Sequence, residues 1–436
     1  MRLLFLNHNV AWSRGTFFRA FHLGRMLVRR GHEVTLMSIS RRRRFTFETE
    51  EHQGVSIVES PDLLSGAARS GWDPWDALRR WQFARRQTWD LVHAFDSRPA
   101  VVLPALALAR RGVPLVMDWA DWWGRGGTID ERLEGRCLRG VIRPVETFFE
   151  EHFRTRADGT TVISAALGGR AAVLGVPPET ILTLPGGSDI EAIQPRPRHE
   201  GRATTGVDSS IRLVGYLGTL LRGDADLMFE TFTRIHAARP AARLVLIGAH
   251  KATVPPHPAI IETGFVRFER MLDWLASCDL LLLPLRDTIA NRGRWPSKVN
   301  DYLAAGRPIV TTAVGDVARL FADWQIGEAV HDDAGALAEA AIRLLDDEGR
   351  REEHGRNARA VAQGDLAWSA LAARVDDFYA RVLSGRTNGM RRPPPPTERS
   401  TMPTYENHFR PMLTSSSRNL AFRSGRSPRI SGSPSA

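Results

Sequence analysis

Lysine is rare in this chain, and one lysine lies in the segment best suited to bind a charged ligand. The 436 residues include 59 lysines and arginines, of which Lys251 and Lys298 are the lysines. A lysine retained among so many arginines indicates a need for a compact ammonium, because the planar guanidinium binds anions with a different geometry. The alternative, that Lys298 was retained by chance, is weakened by the residues around it.

The surroundings of Lys298 predict a binding site for a diphosphate. An apolar run of strand length at 280–285 is followed by a polar loop, and Ser297 can then cap a helix that carries Lys298 and Asp301. A helix that starts at the carboxyl end of a parallel strand presents free backbone N–H groups to anions. We therefore expect Lys298 and the helix start to bind a diphosphate, and Asp301 to accept hydrogen bonds from ribose hydroxyl groups.

The segment 296–310, Pro-Ser-Lys-Val-Asn-Asp-Tyr-Leu-Ala-Ala-Gly-Arg-Pro-Ile-Val, resembles the nucleotide-sugar site of family 4 glycosyltransferases. Segments that resemble the family's strands and helices occur in the expected order at 213–219, 243–248, 264–266 and 272–280. The resemblance extends over about residues 1–384. It implies the α/β fold called GT-B, in which two Rossmann-like domains face a central cleft and a C-terminal helix crosses back.

Apolar and polar segments alternate in both halves of the chain, as in parallel sheets covered by helices on both faces. We predict an N-terminal acceptor-binding domain at 1–195 and a C-terminal nucleotide-sugar-binding domain at 199–367. A crossover helix at 368–384 should pack on the N-terminal domain. The remainder, 385–436, is rich in arginine, proline and serine and is predicted to be a disordered basic tail. This tail carries seven of the ten net positive charges, so the charge does not indicate nucleic-acid binding by the fold.

The resemblance also implies how the donor is held. Arg222 matches a basic position of the family, while Tyr216 stands near the place of a second one. Arg222 and Lys298 together would neutralise the departing diphosphate. Asp224 and Asp226 follow a glycine turn at a helix start and are interpreted as residues that complement the helix dipole, not as metal ligands. We therefore predict metal-independent transfer with no cofactor besides the donor. The expected donor-binding residues are Gly15, Gly218, Thr219, Arg222, Asn291, Arg294, Ser297, Lys298 and Asp301.

One position departs from the family pattern. The family carries two glutamates separated by seven residues, and Asp301 occupies the second place. The first place is occupied by Gly293, so the group that usually holds the donor sugar is absent or replaced. Asn291, Arg292 and Arg294 are the nearby candidates for that role, together with Trp295.

The acceptor is expected to bind at the segment 118–127, which follows a predicted strand at 114–117 and contains two aspartates and three tryptophans. Aromatic faces pack on sugar rings and carboxylates accept hydroxyl protons. Asp118 and Asp121 are predicted to orient the sugars, and the acceptor-binding candidates are Trp119, Trp122 and His93. The alternatives are tryptophans that pack in the core or between domains and a buried structural histidine. Many family members have a histidine in this segment, and this chain does not.

Two segments rich in arginine and aromatic residues, 72–86 and 41–45, predict a peripheral contact with a membrane. The alternative is a solvated helix with buried aromatic residues. Apolar runs long enough to span a bilayer are missing from the sequence, and its first residues resemble a strand rather than a signal peptide. Cys137 and Cys278 lack metal-site spacing, as in a reducing compartment. We expect a cytoplasmic protein, peripheral on the inner face of the membrane.

These features predict a retaining glycosyltransferase that moves a hexose from a nucleoside diphosphate sugar to a hydroxyl group of a glycan or lipid-linked acceptor. Two alternatives remain. One is an isomerase similar to nucleotide-sugar 2-epimerases, which share the GT-B fold. The other is a non-catalytic protein that binds sugar nucleotides, which the glycine at position 293 suggests.

Overall fold

The computed structural model describes residues 1–13, 15–42, 44–132, 136–220, 222–250 and 252–387. The predicted disordered tail lies outside the described residues from position 388 onward. In the first half the elements are β1 (Arg2–Val10), α1 (Gly15–Arg29), β2 (Glu33–Ile39), β3 (Glu48–His52), β4 (Val55–Ser60), α2 (Pro74–Ala84), β5 (Leu91–Phe95), α3 (Pro99–Arg110), β6 (Leu115–Trp119), α4 (Thr128–Arg132), α5 (Arg136–Glu151), β7 (Gly159–Val162), α6 (Ala165–Val173) and β8 (Ile181–Thr183).

The second half repeats the alternation of strands and helices. Its elements are α7 (Arg198–Thr205), β9 (Arg212–Leu217), α8 (Arg222–Ala238), β10 (Ala242–Ile247), β11 (Ile260–Glu262), α9 (Phe268–Ser277), β12 (Leu280–Leu283), α10 (Ile289–Gly293), α11 (Ser297–Ala304), β13 (Ile309–Thr312), α12 (Gly315–Asp323), β14 (Gly327–Val330), α13 (Ala334–Asp346), α14 (Glu348–Gln363) and α15 (Trp368–Thr387).

The strands form two separate sheets. The first has the order β3-β4-β2-β1-β5-β6-β7-β8, and the second has the order β11-β10-β9-β12-β13-β14. Strand β3 is antiparallel to β4, and the other paired strands are parallel. Parallel strands are usually covered by helices on both faces, and the four leucines of β12 are accordingly all buried. The structure thus has the α/β architecture predicted from the alternating pattern.

The two sheets approach each other at the carboxyl ends of their strands. The hydroxyl group of Ser164, after β7, donates a hydrogen bond to the carbonyl oxygen of Gly293 at 2.9 Å. The backbone N–H of Ala165 donates to the carboxylate of Asp316, after β13, at 2.8 Å. These bonds join the rims of a cleft between the sheets, which is where ligands bind in open α/β folds.

Helix α15 returns from the second half to the first. Its residues Trp368, Leu371 and Phe378 are buried in the same apolar cluster as Phe5 of β1 and Phe17 of α1. The helix continues to Thr387, so the first three residues of the predicted tail are helical. The crossing helix expected from the resemblance is therefore present and completes the core beneath the first sheet.

Three local differences separate the sequence predictions from the structure. Strand β6 continues to Trp119, two residues past the predicted end at 117. The strand expected at 264–266 lies instead at Ile260–Glu262, where it pairs with β10, while Gly264 makes an isolated bridge to Gly248. Strands β3 and β14 were not predicted, because both are exposed or half-buried and lack an apolar run. The first difference matters most, since it moves Asp118 and Trp119 from a loop into a sheet.

Candidate functional site

Two glycines form the floor of the site at the carboxyl ends of β9 and β10. Gly218 has a φ of +87°, and its N–H donates to the carbonyl oxygen of Ile247 at 2.8 Å. Gly248 has a φ of +120° and lies against the backbone of Gly218. A Cβ atom on Gly218 would lie 3.9 Å from Cε of Lys298. The predicted donor residues Gly218 and Lys298 are thus neighbours, although Gly218 follows β9 and Lys298 lies in α11.

Lys298 lies in the first turn of α11, half-buried above an aromatic ring. Its ammonium donates a hydrogen bond to Oη of Tyr216 and lies 4.0 Å from the centroid of that ring. Tyr216 in turn donates to the carbonyl oxygen of Thr219 at 3.2 Å. Burial, followed by the positive charge of Arg294, lowers the pKa of Lys298 to about 7. Tyr216 therefore fixes the position of a partly desolvated ammonium, and an anionic ligand would favour its charged form.

Asp301 lies one turn further along α11 than Lys298. Burial, and then the negative charge of Asp189, raise the pKa of Asp301 to about 7, while Lys298 acts in the opposite direction. Asp189 belongs to the segment after β8 and forms an ion pair with Arg25 of α1 at 2.9 Å. The predicted phosphate-binding and ribose-binding groups thus lie together on α11, and both titrate near neutral pH.

Asp224 organises the loop between β12 and α11. Its carboxylate accepts hydrogen bonds from the guanidinium of Arg294 at 3.2 Å and from the backbone N–H of Arg286 at 3.1 Å. The side-chain amide of Asn291 donates to the carbonyl oxygen of Arg286 at 2.7 Å. The other amide atom, Oδ1 of Asn291, is buried without a hydrogen-bond partner in the described part of the chain. Asp224 thus holds this loop in addition to its place at a helix start.

The structure adds little support for the donor-binding roles of three predicted residues. Ser297 is exposed and is the first residue of α11, with Pro296 as the capping position and no side-chain cap, so the predicted Ser297 cap is wrong. Gly15 begins α1, and a Cβ atom there would have nothing within 4 Å. Its presence is therefore not required by packing. Arg222 begins α8, but its side chain lies outside the described part of the structure.

Asp118 does not face the cleft, contrary to the sequence prediction. Because β6 continues to Trp119, the side chain of Asp118 points into the space between the sheet and α1, where it is 0% exposed. Its two oxygens accept hydrogen bonds from Arg19, each at 3.0 Å, and Thr161 donates a third at 2.6 Å. The Arg19 guanidinium thus lowers the pKa of Asp118 in spite of burial. The carboxylate has a structural role and cannot orient a sugar in this conformation.

Trp119 and His93 are also withdrawn from the cleft. Trp119 is 1% exposed, donates to Glu150 at 3.0 Å and lies 4.1 Å from the guanidinium of Arg154. His93 is fully buried between the hydroxyl groups of Tyr379, at 2.6 Å, and Thr161, at 3.1 Å. Burial lowers its pKa to about 3. The predicted acceptor contacts of both residues are therefore wrong in this structure.

Trp122 explains the glycine at position 293. The indole is half-buried, donates to the carbonyl oxygen of Arg125 at 3.0 Å and lies 4.1 Å below the guanidinium of Arg170. A Cβ atom on Gly293 would lie 2.9 Å from Cβ of Trp122 and 3.1 Å from its ring. Trp122 therefore occupies the space next to position 293, and a glutamate there would require the indole or the backbone to move.

A narrow cavity of about 10 Å³ lies beside Trp123 at the carboxyl ends of β5 and β6. This volume is close to that of a single water molecule. Asp121 lines it together with Asp96 and Glu146, and burial raises the pKa of Glu146 to about 7. Asp96 has a φ of +91°, which is strained for a residue with a side chain, and its carboxylate lies 3.1 Å from the buried His8. Of the predicted acceptor-side residues, Asp121 and Trp122 thus remain partly accessible.

Within the described residues, no group of three or more histidine, cysteine, aspartate or glutamate side chains is arranged to hold a metal ion. In the same part of the chain, no helix is long and apolar enough to cross a membrane.

Comparisons with known proteins were made for the sequence and for the fold. Residues 15–187 match the family model described as glycosyl transferase 4-like domain, and residues 211–347 match the one described as glycosyl transferases group 1. These two matches together cover more than half of the chain. The chain belongs to the family 4 glycosyltransferases of GT-B fold. No curated protein sequence matches it.

Solved structures share the fold of this glycosyltransferase at low sequence identity. Sucrose-phosphate synthase from Thermosynechococcus elongatus has a TM-score of 0.68 at 15% identity, covering 88% of this chain and 99% of that one. WaaG, a glycosyltransferase of lipopolysaccharide biosynthesis, has a TM-score of 0.63 at 17% identity, covering 86% and 99%. HepE from Anabaena, solved with UDP and glucose, has a TM-score of 0.62 at 15% identity, covering 87% and 100%. These similarities establish the GT-B fold.

Some residues of the glycosyltransferase site were missed from the sequence. Asp224 was interpreted as a helix-dipole residue, although its spacing from the predicted strand end was a usable signal. Asp189 lies outside every motif considered, and its proximity to Asp301 follows from the path of the chain between the two halves. Arg170 was also missed, because α4 and α5 separate it from Trp122 in the sequence and only the fold brings the two side chains together. The donor roles of Lys298 and its neighbours stay predictions.

Proposed function

We propose that this glycosyltransferase moves a hexose from a nucleoside diphosphate sugar to a hydroxyl group of a glycan or lipid-linked acceptor, with retention of configuration and without a metal ion. The observation that carries the proposal is the ammonium of Lys298, fixed by Tyr216 at a helix start beside Gly218. This arrangement suits a diphosphate, which accepts hydrogen bonds from backbone N–H groups and favours a nearby positive charge.

Charge neutralisation by the protein is the proposed source of catalysis. As the bond between the sugar and the diphosphate breaks, negative charge builds up on the leaving oxygen, and Lys298 and Arg222 stabilise it. Arg294 lies near Lys298 and lowers its pKa, so it adds positive potential there, although its pairing with Asp224 at 3.2 Å offsets part of that charge. These cations can take the part that a divalent ion plays in other transferases, which supports metal-independent transfer.

Asp301 is proposed to accept hydrogen bonds from the ribose hydroxyl groups. Because burial raises the pKa of Asp301 to about 7, the carboxylate is only partly ionised at neutral pH. A bound ribose would donate hydrogen bonds to the ionised form and favour it. Asn291 and Arg294, held by Asp224, border the place expected for the transferred sugar. The unpartnered Oδ1 of Asn291 is a suitable acceptor for a sugar hydroxyl group.

The acceptor is proposed to enter beside Asp121 and Trp122. His93 and Asp118 are buried, so neither can remove the proton of the acceptor hydroxyl group in this conformation. Retention needs no such base if a leaving diphosphate oxygen takes that proton while the acceptor oxygen bonds to the same face of the sugar. Closure of the two halves would exclude water and limit hydrolysis.

We further propose a cytoplasmic enzyme that contacts the inner face of the membrane through 72–86 and 41–45. Trp75 and Leu78 of α2 are 36% and 42% exposed, and Phe45 is 72% exposed. Arg79 lies 5.4 Å from the ring of Trp75. Exposed aromatic residues beside arginines are typical of surfaces that bind the lipid interface.

The decisive experiment is a thermal-shift screen of UDP-, GDP-, ADP- and TDP-sugars. A donor present at about 100 times its Kd should stabilise the folded enzyme by about 2.7 kcal/mol. We expect the sugar nucleotides of one base to stabilise the folded enzyme. This stabilisation should disappear in Lys298→Ala and persist in Arg234→Ala, which removes a surface cation paired with Glu230. A folded enzyme that responds to none of these donors would contradict the proposal. Turnover with the responding donor then distinguishes transfer from isomerisation. A product whose anomeric configuration is unchanged from that of the donor sugar supports a retaining transferase. Conversion of the donor sugar without any acceptor identifies an isomerase.

A further inference from the structure

In its described part, helix α5 buries polar side chains and exposes a row of apolar ones. Its buried residues in the described part are Glu146, Thr147 and Glu150, each at most 6% exposed. Val141 is 68% exposed and Phe148 is 48% exposed. Surface helices of globular domains normally bury the apolar side. Phe149 of the same helix packs against the apolar core, but Val141 and Phe148 are exposed and the core does not explain them.

The buried polar side of α5 is used to hold the segment proposed to receive the acceptor. The carboxylate of Glu150 accepts hydrogen bonds from the backbone N–H groups of Trp123, at 2.8 Å, and Gly124, at 2.7 Å. The hydroxyl oxygen of Thr147 accepts one from the N–H of Arg125 at 2.9 Å. Any surface that binds the outer side of α5 is therefore one helix diameter from the proposed acceptor site.

The outer side is a continuous stripe with basic residues beside it. Val141, Val145 and Phe148 are spaced by four and three residues, which places them on one face of the helix. All three are exposed, and Val145 is 43% exposed. Arg139 and Arg143 lie on the same helix, and Arg143, which pairs with Asp130 at 3.3 Å, has a side chain that is 44% exposed. An apolar stripe beside basic residues is the pattern of a helix that lies in the interface of a membrane, where the arginines attract anionic lipid.

We propose that the α5 stripe, Val141, Val145 and Phe148, docks on an anionic lipid surface and presents the segment 120–127 to an acceptor embedded in it. This inference rests on the proposed function, because it gives the lipid-linked acceptor a route to the cleft. The ring of Phe149, next to the stripe, meets the ring of Trp72 edge-on at 5.4 Å. This contact connects α5 to the start of the segment 72–86, so the two form neighbouring parts of one lipid-facing side.

The test is sedimentation of the full chain with vesicles of phosphatidylglycerol or of phosphatidylcholine. The wild type should bind the anionic vesicles, and binding should weaken as salt is added because the Debye length falls. Val141→Ser with Phe148→Ser removes most of the apolar stripe and should lower vesicle partitioning by about tenfold or more. The matched control is Val173→Ser with Trp324→Ser, at residues that are 68% and 44% exposed elsewhere on the surface. The control should partition like the wild type.

The inference would be overturned if the wild-type protein did not bind anionic vesicles, or if the stripe variant bound them as well as the control variant does. A concentration-dependent dimer that is lost in the stripe variant, without vesicle binding, would identify the stripe as a contact between copies of the chain and would also overturn it. The nucleotide-dependent thermal shift is measured in the same preparations. A stripe variant that keeps this thermal shift but no longer binds vesicles supports a docking role separate from donor binding. A wild-type protein without the thermal shift contradicts the proposed function, whether or not it binds vesicles.

Discussion

The contact between Gly293 and Trp122 makes Gly293→Ala the most direct test of how the two halves meet. The added Cβ would lie 2.9 Å from Cβ of Trp122, closer than side-chain carbons pack, so the indole or the backbone must move. Excess volume in a packed site costs about 1–3 kcal/mol. For a domain of this size each kcal/mol lowers Tm by about 2–4 °C. We therefore expect a clear fall in Tm from the addition of one methyl group.

The same substitution has the opposite expected sign once the indole is removed. Gly293 is the last residue of α10, and replacing glycine by alanine in a helix is otherwise favourable by about 0.5–1 kcal/mol. In a Trp122→Ala background, Gly293→Ala should thus be neutral or slightly stabilising. The two substitutions should therefore couple by about 1–3 kcal/mol, within the range for residues in contact.

The assay is urea unfolding of the two single variants and the double variant, with Gly169→Ala as the control. Gly169 lies in α6, and a Cβ atom there would have nothing within 4 Å, so the control should gain stability. If Gly293→Ala were as stabilising as Gly169→Ala, or if it had the same effect with and without Trp122, the steric account of position 293 would be wrong. The Trp122→Ala background also has room for the glutamate that the family carries at position 293. Gly293→Glu should therefore fold only when Trp122 is removed.

Three further predictions concern charge. The contribution of Lys298 to the affinity for nucleoside diphosphates should fall as the pH rises above about 7, because its pKa is lowered to about 7 and its ammonium is lost there, whereas ionisation of Asp301 acts in the opposite direction; calorimetry should find that the affinity of Lys298→Arg falls less, or rises more, with pH than that of the wild type, and equal slopes would contradict this. Asp118→Asn should cost about 3–5 kcal/mol in urea unfolding, because it leaves Arg19 buried without a counter-charge, whereas the half-buried Asp121→Asn should cost less than about 1 kcal/mol. A chelator should leave the initial transfer rate unchanged, and a loss of activity restored by a divalent ion would refute metal-independent transfer.

The strands and the donor segment could be predicted because their signals are local. Four consecutive leucines and the following helix start place Lys298 in the first helix turn after a strand and its polar loop, without reference to any distant residue. The position of Asp118 could not be predicted in this way. Its burial depends on β6 pairing with β7 as far as Trp119, which the sequence around position 118 does not specify.

Residues paired over long distances account for the remaining errors. His93 is buried because Tyr379, 286 residues away, approaches it from α15. In the sequence, Gly293 indicates that the group holding the donor sugar is absent or replaced, whereas the structure shows Trp122 in the space next to it. A pattern within one segment distinguishes neither case, because an isolated histidine at a strand end has the same sequence signature whether it binds a ligand or fills a core.

Helix α15 has a consequence for how the chain is made. It supplies Trp368, Leu371, Val375 and Phe378 to the apolar cluster under the first sheet, so that sheet lacks part of its cover until the end of the described chain has been synthesised. A nascent chain that has left the ribosome only as far as the second sheet would expose this surface, and such surfaces attract chaperones and promote aggregation. The N-terminal half should therefore be insoluble when expressed alone, and a fusion that joins α15 to it by a short linker should rescue it.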